Sequence, residues 1–509
     1  MKSTMAALLC GTALLLQAGA VQPAQAATTV VNGGFESNGA AVASPTGWTS
    51  SGTTAADYTE SGGRSGSYRI THWSSAAYTV RTSQTLTGLT NGSYTLSLYV
   101  KNGGGQSSVY AGLENCGGTD RRTFLPVTGD WLKIAVSTTV SGGSCTISLS
   151  SSASAGNWAS FDDVAFASGA ATLSVKGADV STLAKSEAYG GVYYGRDGAR
   201  GDALTLLKSH GANYARLKVW VNPADGYNNK ARVLAMARRV KALGMGLLVD
   251  FHYSDRWADP GTQTKPAAWS SYPFTQLRQA VYDHTYDVLN ALKAQGTTAD
   301  MAQVGNEIND GMLWEDGRGS RFAQLAQLLS AGASAVKAVS SSTKVVLHLA
   351  EAGNSAVFRW FFDSAASYGV AYDVIGASYY PYWHGTLAAM QANVTDIRSR
   401  YGKPVLIAET AYPFTTGNDD SEPNIISAAT PYAGYPATPA GQAALFRDVM
   451  STVQAAGGLG VVYWEPTWTA VTGNGWDPAN PSSGNGWDNQ ALFDFNNRAT
   501  PAIAEYSHQ

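Results

Sequence analysis

The chain has 509 residues with 34 basic and 37 acidic side chains, a formal net charge of −3 and only 14% charged residues. With no basic block, it offers nothing to hold a polyanion such as nucleic acid. Beyond the first residues no apolar run approaches the roughly 20 residues of a membrane-spanning helix, so no membrane partner is expected. Fourteen Trp and 26 Tyr against so little charge suit flat aromatic faces for neutral polymers, although a core can absorb the same rings.

The chain opens on Met1 and Lys2, followed by an apolar stretch over residues 6–16 and small residues ending at Ala24-Gln25-Ala26. This reads as a secretory signal over residues 1–26, so the protein is expected to be secreted and extracellular. Cys10 lies inside that segment, and Leu9 before it is too large for a lipoprotein cleavage site. Lys2 is the one charged residue of the leader, which leaves 33 basic against 37 acidic side chains, a formal charge of −4. Two cysteines remain, Cys116 and Cys145. An even pair in an exported protein predicts a disulfide rather than a metal or redox site.

Residues 27–166 are rich in Ser, Thr and Gly, with short alternating runs such as Tyr94-Thr95-Leu96-Ser97-Leu98-Tyr99-Val100. Alternation without helical periodicity predicts an all-β sandwich. Residues 167–173 form a small-residue linker. From residue 174 to 509 strands alternate with amphipathic helical stretches near residues 230–243, 274–295, 322–339 and 442–456, several closed by glycine, as at Gly244, Gly296 and Gly457. Eight strand candidates, near residues 176–179, 215–221, 246–252, 301–307, 344–349, 374–379, 404–409 and 459–465, predict an α/β fold, a (β/α)8 TIM barrel preceded by a jelly-roll-like sandwich.

Chemistry in such barrels collects at the C-terminal strand ends. Those ends carry Asp179, Arg216, Asp250, His252, Asn306, Glu307, His348, Tyr379, Glu409 and Trp464. Asp179, Asp250 and His348 fit buried polar spacers as well as substrate contacts. Glu307 and Glu409 stand apart, because a carboxylate closing an apolar strand is costly to bury unless its charge is used. Glycoside hydrolysis requires two such groups.

An Asn-Glu ending strand four with a Glu ending strand seven resembles the large clan of retaining glycosidases on eight-stranded barrels. The resemblance implies that Glu307 is the general acid and base and Glu409 the nucleophile, with carboxyl groups about 5–5.5 Å apart. It further implies that Arg216 keeps Glu409 ionised, Tyr379 donates a hydrogen bond to it, and Asn306 faces the 2-hydroxyl of the sugar. Trp464 would stack beneath the ring being cleaved, and His252 would hydrogen-bond sugar or carboxylate. No cofactor is required for that chemistry.

The stretch Asp250-Phe251-His252-Tyr253-Ser254-Asp255-Arg256-Trp257-Ala258-Asp259-Pro260-Gly261-Thr262-Gln263, with Trp269 beyond it, narrows the resemblance to glycoside hydrolase family 53. Arg216-Leu217-Lys218-Val219-Trp220, Gly305-Asn306-Glu307-Ile308, Gly311-Met312-Leu313-Trp314 and Ala408-Glu409-Thr410-Ala411-Tyr412 add to it. Over residues 174–509 the similarity implies an arabinogalactan endo-β-1,4-galactanase, acting on β-1,4-galactan and expected as a monomer. Trp257, Asp259, Gln263 and Trp314 are the subsite candidates. Related enzymes acting on mannan, xylan or cellulose, and a non-catalytic wall-binding protein, are the alternatives. Bacterial members carry calcium in the loop after strand seven, but Asp419, Asp420, Glu422 and Asn424 show no alternating ligand pattern there, and a solvated acidic loop is expected.

Asn32-Gly33-Gly34-Phe35-Glu36 and Phe161-Asp162-Asp163-Val164 bracket the N-terminal region as in many β-sandwich carbohydrate-binding modules, the galactan-binding family 61 among them. That resemblance implies a structural calcium at Glu36 and Asp163, whose carboxylate oxygens suit that ion. Tyr58, His72, Trp73 and Trp158 are candidate sugar platforms in it.

Overall fold

The computed structural model describes residues 30–507, so the leader over residues 1–26, with Cys10, lies outside the described residues. Two five-stranded antiparallel sheets come first. One orders Thr49–Gly52, Tyr78–Thr87, Ser144–Ala153, Gln106–Glu114 and Arg121–Phe124; the other Asp57–Ser61, Tyr68–Trp73, Trp158–Ser168, Gly92–Asn102 and Thr128–Val140. Their alternating side chains meet in a shared core, with Leu96, Leu98, Val100, Leu132, Ile134, Ile147 and Leu149 fully buried. Cys116 and Cys145 are joined by a disulfide.

His72, a candidate platform, does not reach the surface. It is fully buried between the sheets, 2.8 Å from Ser151 Oγ and 3.0 Å from Thr82 Oγ1, and burial pushes its ring down to about 3. A neutral core histidine results. Trp73 is exposed and lies directly across the strand pair from Trp158.

Eight parallel strands then close a barrel in sequential order: β1 Val175–Asp179, β2 Tyr214–Val219, β3 Gly246–Phe251, β4 Met301–Val304, β5 Lys344–Leu349, β6 Val374–Ser378, β7 Val405–Thr410 and β8 Gly460–Tyr463. Helices fill the crossovers. Lys230–Ala242, Phe274–Ala294, Phe322–Val339, Ser355–Ser367, Leu387–Tyr401 and Pro439–Ala455 each present an apolar stripe to the strands. The helix expected from residue 442 begins three residues earlier, because Thr438 caps it by accepting from Gly441 N and Pro439 fits the first turn, where its missing N–H is no loss.

The linker is pinned. Ala171 N donates to Thr95 Oγ1 and Ser137 Oγ, and its carbonyl accepts from Gln454 Nε2 at 2.6 Å. Strand Thr128–Val140, at the edge of its sheet, faces helices Leu387–Tyr401 and Pro439–Ala455. Gln391 extends an amide to that edge as a strand would, accepting from Lys133 N at 2.7 Å and donating to Lys133 O at 2.8 Å. Docking thus covers part of an edge whose open backbone groups would otherwise invite pairing with another chain.

Candidate active site

The strand ends surround a cleft of about 630 Å³, lined among others by Arg216, Lys218, His252, Trp257, Asp259, Asn306, Glu307, Tyr380, Glu409 and Trp464. Strand β4 stops at Val304. Gly305 then adopts φ +86°, and Glu307 itself sits at φ +48°. Tyr253, Glu351 and Glu465, in the turns after β3, β5 and β8, share the left-handed region at +50°, +65° and +49°. Each is a sparsely populated conformation for a residue with a Cβ, held by its surroundings; of the four, Glu307 and Glu351 line the cleft, while Tyr253 and Glu465 are buried behind it.

Arg216 is the hub. It is 1% exposed, and its guanidinium meets Asp179 at 2.7 Å, Asp250 at 2.8 Å, Glu409 at 2.9 Å and Asn306 Oδ1 at 2.8 Å, with Gln303 Oε1 at 3.3 Å. A planar fork with five donors can serve that many acceptors where a lysine could not. Despite burial, the Arg216 charge and the hydrogen bond from His252 hold the Asp250 carboxyl below the usual range. Asp179 and Asp250 therefore anchor Arg216 from beneath. Asn306 spends its Oδ1 on Arg216 and Gln303 and its Nδ2 on Ala258 O, which fixes its rotamer.

Burial pushes the Glu307 carboxyl up to about 7, with the charges of Asp259 and Asp250 adding to the effect and a Ser378 hydrogen bond and Arg216 opposing it. His348 supports this end of the site. Its Nδ1 accepts from Gln303 Nε2 at 2.9 Å and from Glu307 N at 3.3 Å, which leaves Nε2–H to donate to Ser378 Oγ at 2.9 Å and Ser378 to donate onward to Glu307. Burial and Arg216 keep His348 neutral. Burial also drives Glu409 upward, and Arg216 opposes it. Only Glu409 has both a guanidinium at 2.9 Å and a phenol donating to it, so the single negative charge of the pair resides there and the proton on Glu307.

The phenol that donates to Glu409 Oε2, at 2.9 Å, belongs to Tyr380, which corrects the expectation for Tyr379. Tyr379 donates instead to Gly385 O. His252 lines the cleft with both ring nitrogens engaged, Nε2 on Asp250 at 3.0 Å and Nδ1 accepting from Ala258 N at 3.1 Å. Gln263 and Trp314 lie off the cleft. Gln263 donates to Asn306 O at 2.8 Å, and Trp314 donates to Asp310 O beneath the Arg318 guanidinium, so both hold loops. Trp269 is buried edge-on to His284.

Four tryptophans that sequence reasoning passed over, Trp383, Trp468, Trp476 and Trp487, line the cleft beside Trp257 and Trp464. Trp464 meets Trp487 edge to face at 4.9 Å and Trp257 at 5.7 Å. For Trp468, Trp476 and Trp487 the sequence signal was their clustering with Trp464 in the segment after β8; Trp383, after β6, had no such neighbours in the chain.

The calcium expected at Glu36 and Asp163 meets a poor donor set. Glu36 Oε1 accepts from Ser67 N and Tyr68 N, and Arg64 places its guanidinium 2.8 Å from Asp163, where a cation would sit. Among the described residues no group of three or more His, Cys, Asp or Glu could hold a metal ion. Nor is the acidic loop merely solvated: Asp420 accepts from Glu422 N and Asn485 N, and Asp488 accepts from Asp419 N, stapling the β7 loop to the β8 loop.

Residues 175–506 match the family model described as glycosyl hydrolase family 53. An endo-beta-1,4-galactanase of Bacillus subtilis is 34% identical over 370 residues, covering 66% of this chain and 85% of that one. An arabinogalactan endo-beta-1,4-galactanase of Cellvibrio japonicus is 36% identical over 343 residues, 64% of this chain and 89% of that one. Among solved structures, the family 53 catalytic domain of Ignisphaera aggregans superposes with a TM-score of 0.63 at 40% identity, covering 65% of this chain and 95% of that domain. The barrel, its carboxylate-lined cleft and these matches agree that the chain belongs to glycosyl hydrolase family 53.

Proposed function

We propose that this glycoside hydrolase is an exported, retaining endo-β-1,4-galactanase that cuts internal bonds of pectic galactan. The observation that carries the mechanism is the asymmetry of the carboxyl pair: Glu409 bound by Arg216 and Tyr380, Glu307 raised to about 7. Glu409 attacks the anomeric carbon while the bond to the leaving sugar breaks and Glu307 gives its proton to the departing oxygen. Water then loses a proton to Glu307 and attacks the same carbon, releasing Glu409 with the configuration retained.

The galactan specificity follows the names borne by relatives of 34–36% identity that match the barrel. Export follows the leader sequence, and for the sandwich we propose polysaccharide binding, with Trp73 and Trp158 adjacent on its surface. Reducing-end release from linear β-1,4-galactan, beside mannan, xylan and cellulose, tests the reading with the wild type and Glu307→Gln. Galactan cleavage that disappears in the variant supports it; cleavage confined to another polymer overturns the substrate, and no cleavage of any overturns the enzyme.

A further inference from the structure

One cation in the cleft has no part in the double displacement. Lys218 leaves β2 two residues after Arg216, 2% exposed, and its Nζ lies 2.8 Å from Glu465 Oε1 in the turn after β8. Glu465 is fully buried and also accepts from Thr182 N and, at 2.6 Å, from Thr182 Oγ1. The ammonium sits 3.8 Å above the Trp257 ring and 5.4 Å from that of Trp220. Trp257 in turn donates its indole N–H to Trp476 O at 2.7 Å and stacks near-parallel on Trp468 at 5.7 Å.

An ammonium has three donors. Among the described residues Glu465 is the one hydrogen-bond acceptor that Lys218 Nζ finds, and Lys218 lines the open cleft. Burying an ion pair costs desolvation that the pair alone does not reliably return. Placing one at the floor of a sugar cleft makes sense where a ligand oxygen completes the cation's hydrogen bonds. Aromatic walls on this side present apolar sugar faces with a surface, but they leave the ring hydroxyls unread.

Resting on the galactanase reading, we propose that Lys218 is a specificity-determining residue that donates to a hydroxyl of a galactosyl unit on the β8 side of the cleft. That side lies across the barrel from β4, which carries the acid. The leaving group departs toward the acid, so the ring over Lys218 belongs to the portion the enzyme retains. Glu465 holds the ammonium in place, and the same charge fixes Trp257 as part of the wall.

The test is Lys218→Met combined with Glu465→Gln in the full chain, which removes both charges and leaves no buried carboxylate unpaired. KM for galactopentaose is expected to rise about tenfold, with kcat within roughly threefold, as loss of a hydrogen bond shared by ground and transition states requires. Unchanged KM, or a fall in kcat alone, overturns the proposal, since a purely structural pair would not move KM selectively. A second measurement uses folded wild type labelled with ¹⁵N-lysine. The Nζ resonance that Lys218→Arg removes should shift on adding galactotriose, and a resonance that stays in place overturns the proposal as well. Wild type that cleaves no galactan would instead defeat the substrate reading itself, so the two failures are distinguishable.

Discussion

The Tyr380 hydroxyl lies 2.9 Å from Glu409 Oε2 and donates to it, while the neighbouring Tyr379 turns its hydroxyl to the Gly385 carbonyl. Consecutive residues of an extended chain face opposite ways, so one position decides which phenol meets the carboxylate. A hydrogen bond to a charged group is worth about 1.5–3 kcal/mol, so Tyr380→Phe should lower kcat/KM for galactan roughly 10- to 100-fold. Tyr379→Phe should stay close to wild type. Equal effects from both would contradict the assignment.

That one-residue slip shows where the sequence was readable. All eight strands, four of the six crossover helices described above and the positions of Glu307, Glu409 and Arg216 follow from hydrophobic patterning and from polar residues closing apolar runs. The pairing of β6 with β7 is irregular between Ala377 and Ser378, which face Ile407 and Glu409, so β7 carries an extra residue at the point where Glu409 emerges. A bulge of this kind is set by tertiary pairing and leaves no local signal. Gln263 and Trp314 were misplaced for a related reason, since loop composition gives no direction to a side chain. The post-β8 tryptophans were visible as a cluster, but only the folded loop shows that they converge on the cleft.

The pH profile follows from Glu307. A general acid works while protonated, so kcat/KM should fall as pH rises through about 7. The Asp259 charge helps to raise that carboxyl, so Asp259→Asn should move the alkaline limb toward acid. Measuring kcat/KM on a soluble galacto-oligosaccharide between pH 4 and 9, for both proteins, checks the direction; an alkaline shift in the variant would contradict it.

The same group ties catalysis to stability. Its folded value is about 7 against an ordinary glutamate value of 4.5, so the native state loses stability as pH climbs from the lower value to the higher. That interval corresponds to roughly 3 kcal/mol. Glu307→Gln should therefore unfold at the wild-type temperature at pH 4 yet roughly 4 °C higher at pH 8, as calorimetry would show. A variant destabilised at pH 8 would argue against a buried, reluctantly ionised acid.

The disulfide closes a loop with a sequence separation of 29 in the sandwich. Chain entropy assigns such a cross-link about 3.5 kcal/mol. Cys116→Ser with Cys145→Ser should lower the melting temperature of the sandwich while galacto-oligosaccharide hydrolysis at 25 °C persists, because the cleft draws all its lining residues from the barrel. An unaltered unfolding profile would remove the disulfide from the account of stability.

The central claim is double displacement at Glu409 on galactan, and the anomeric configuration of the first product tests it most directly. Linear β-1,4-galactan digested in an NMR tube should release reducing ends that appear first as the β-anomer and only later mutarotate. Initial release of the α-anomer would show inversion and contradict the roles given to Glu307 and Glu409.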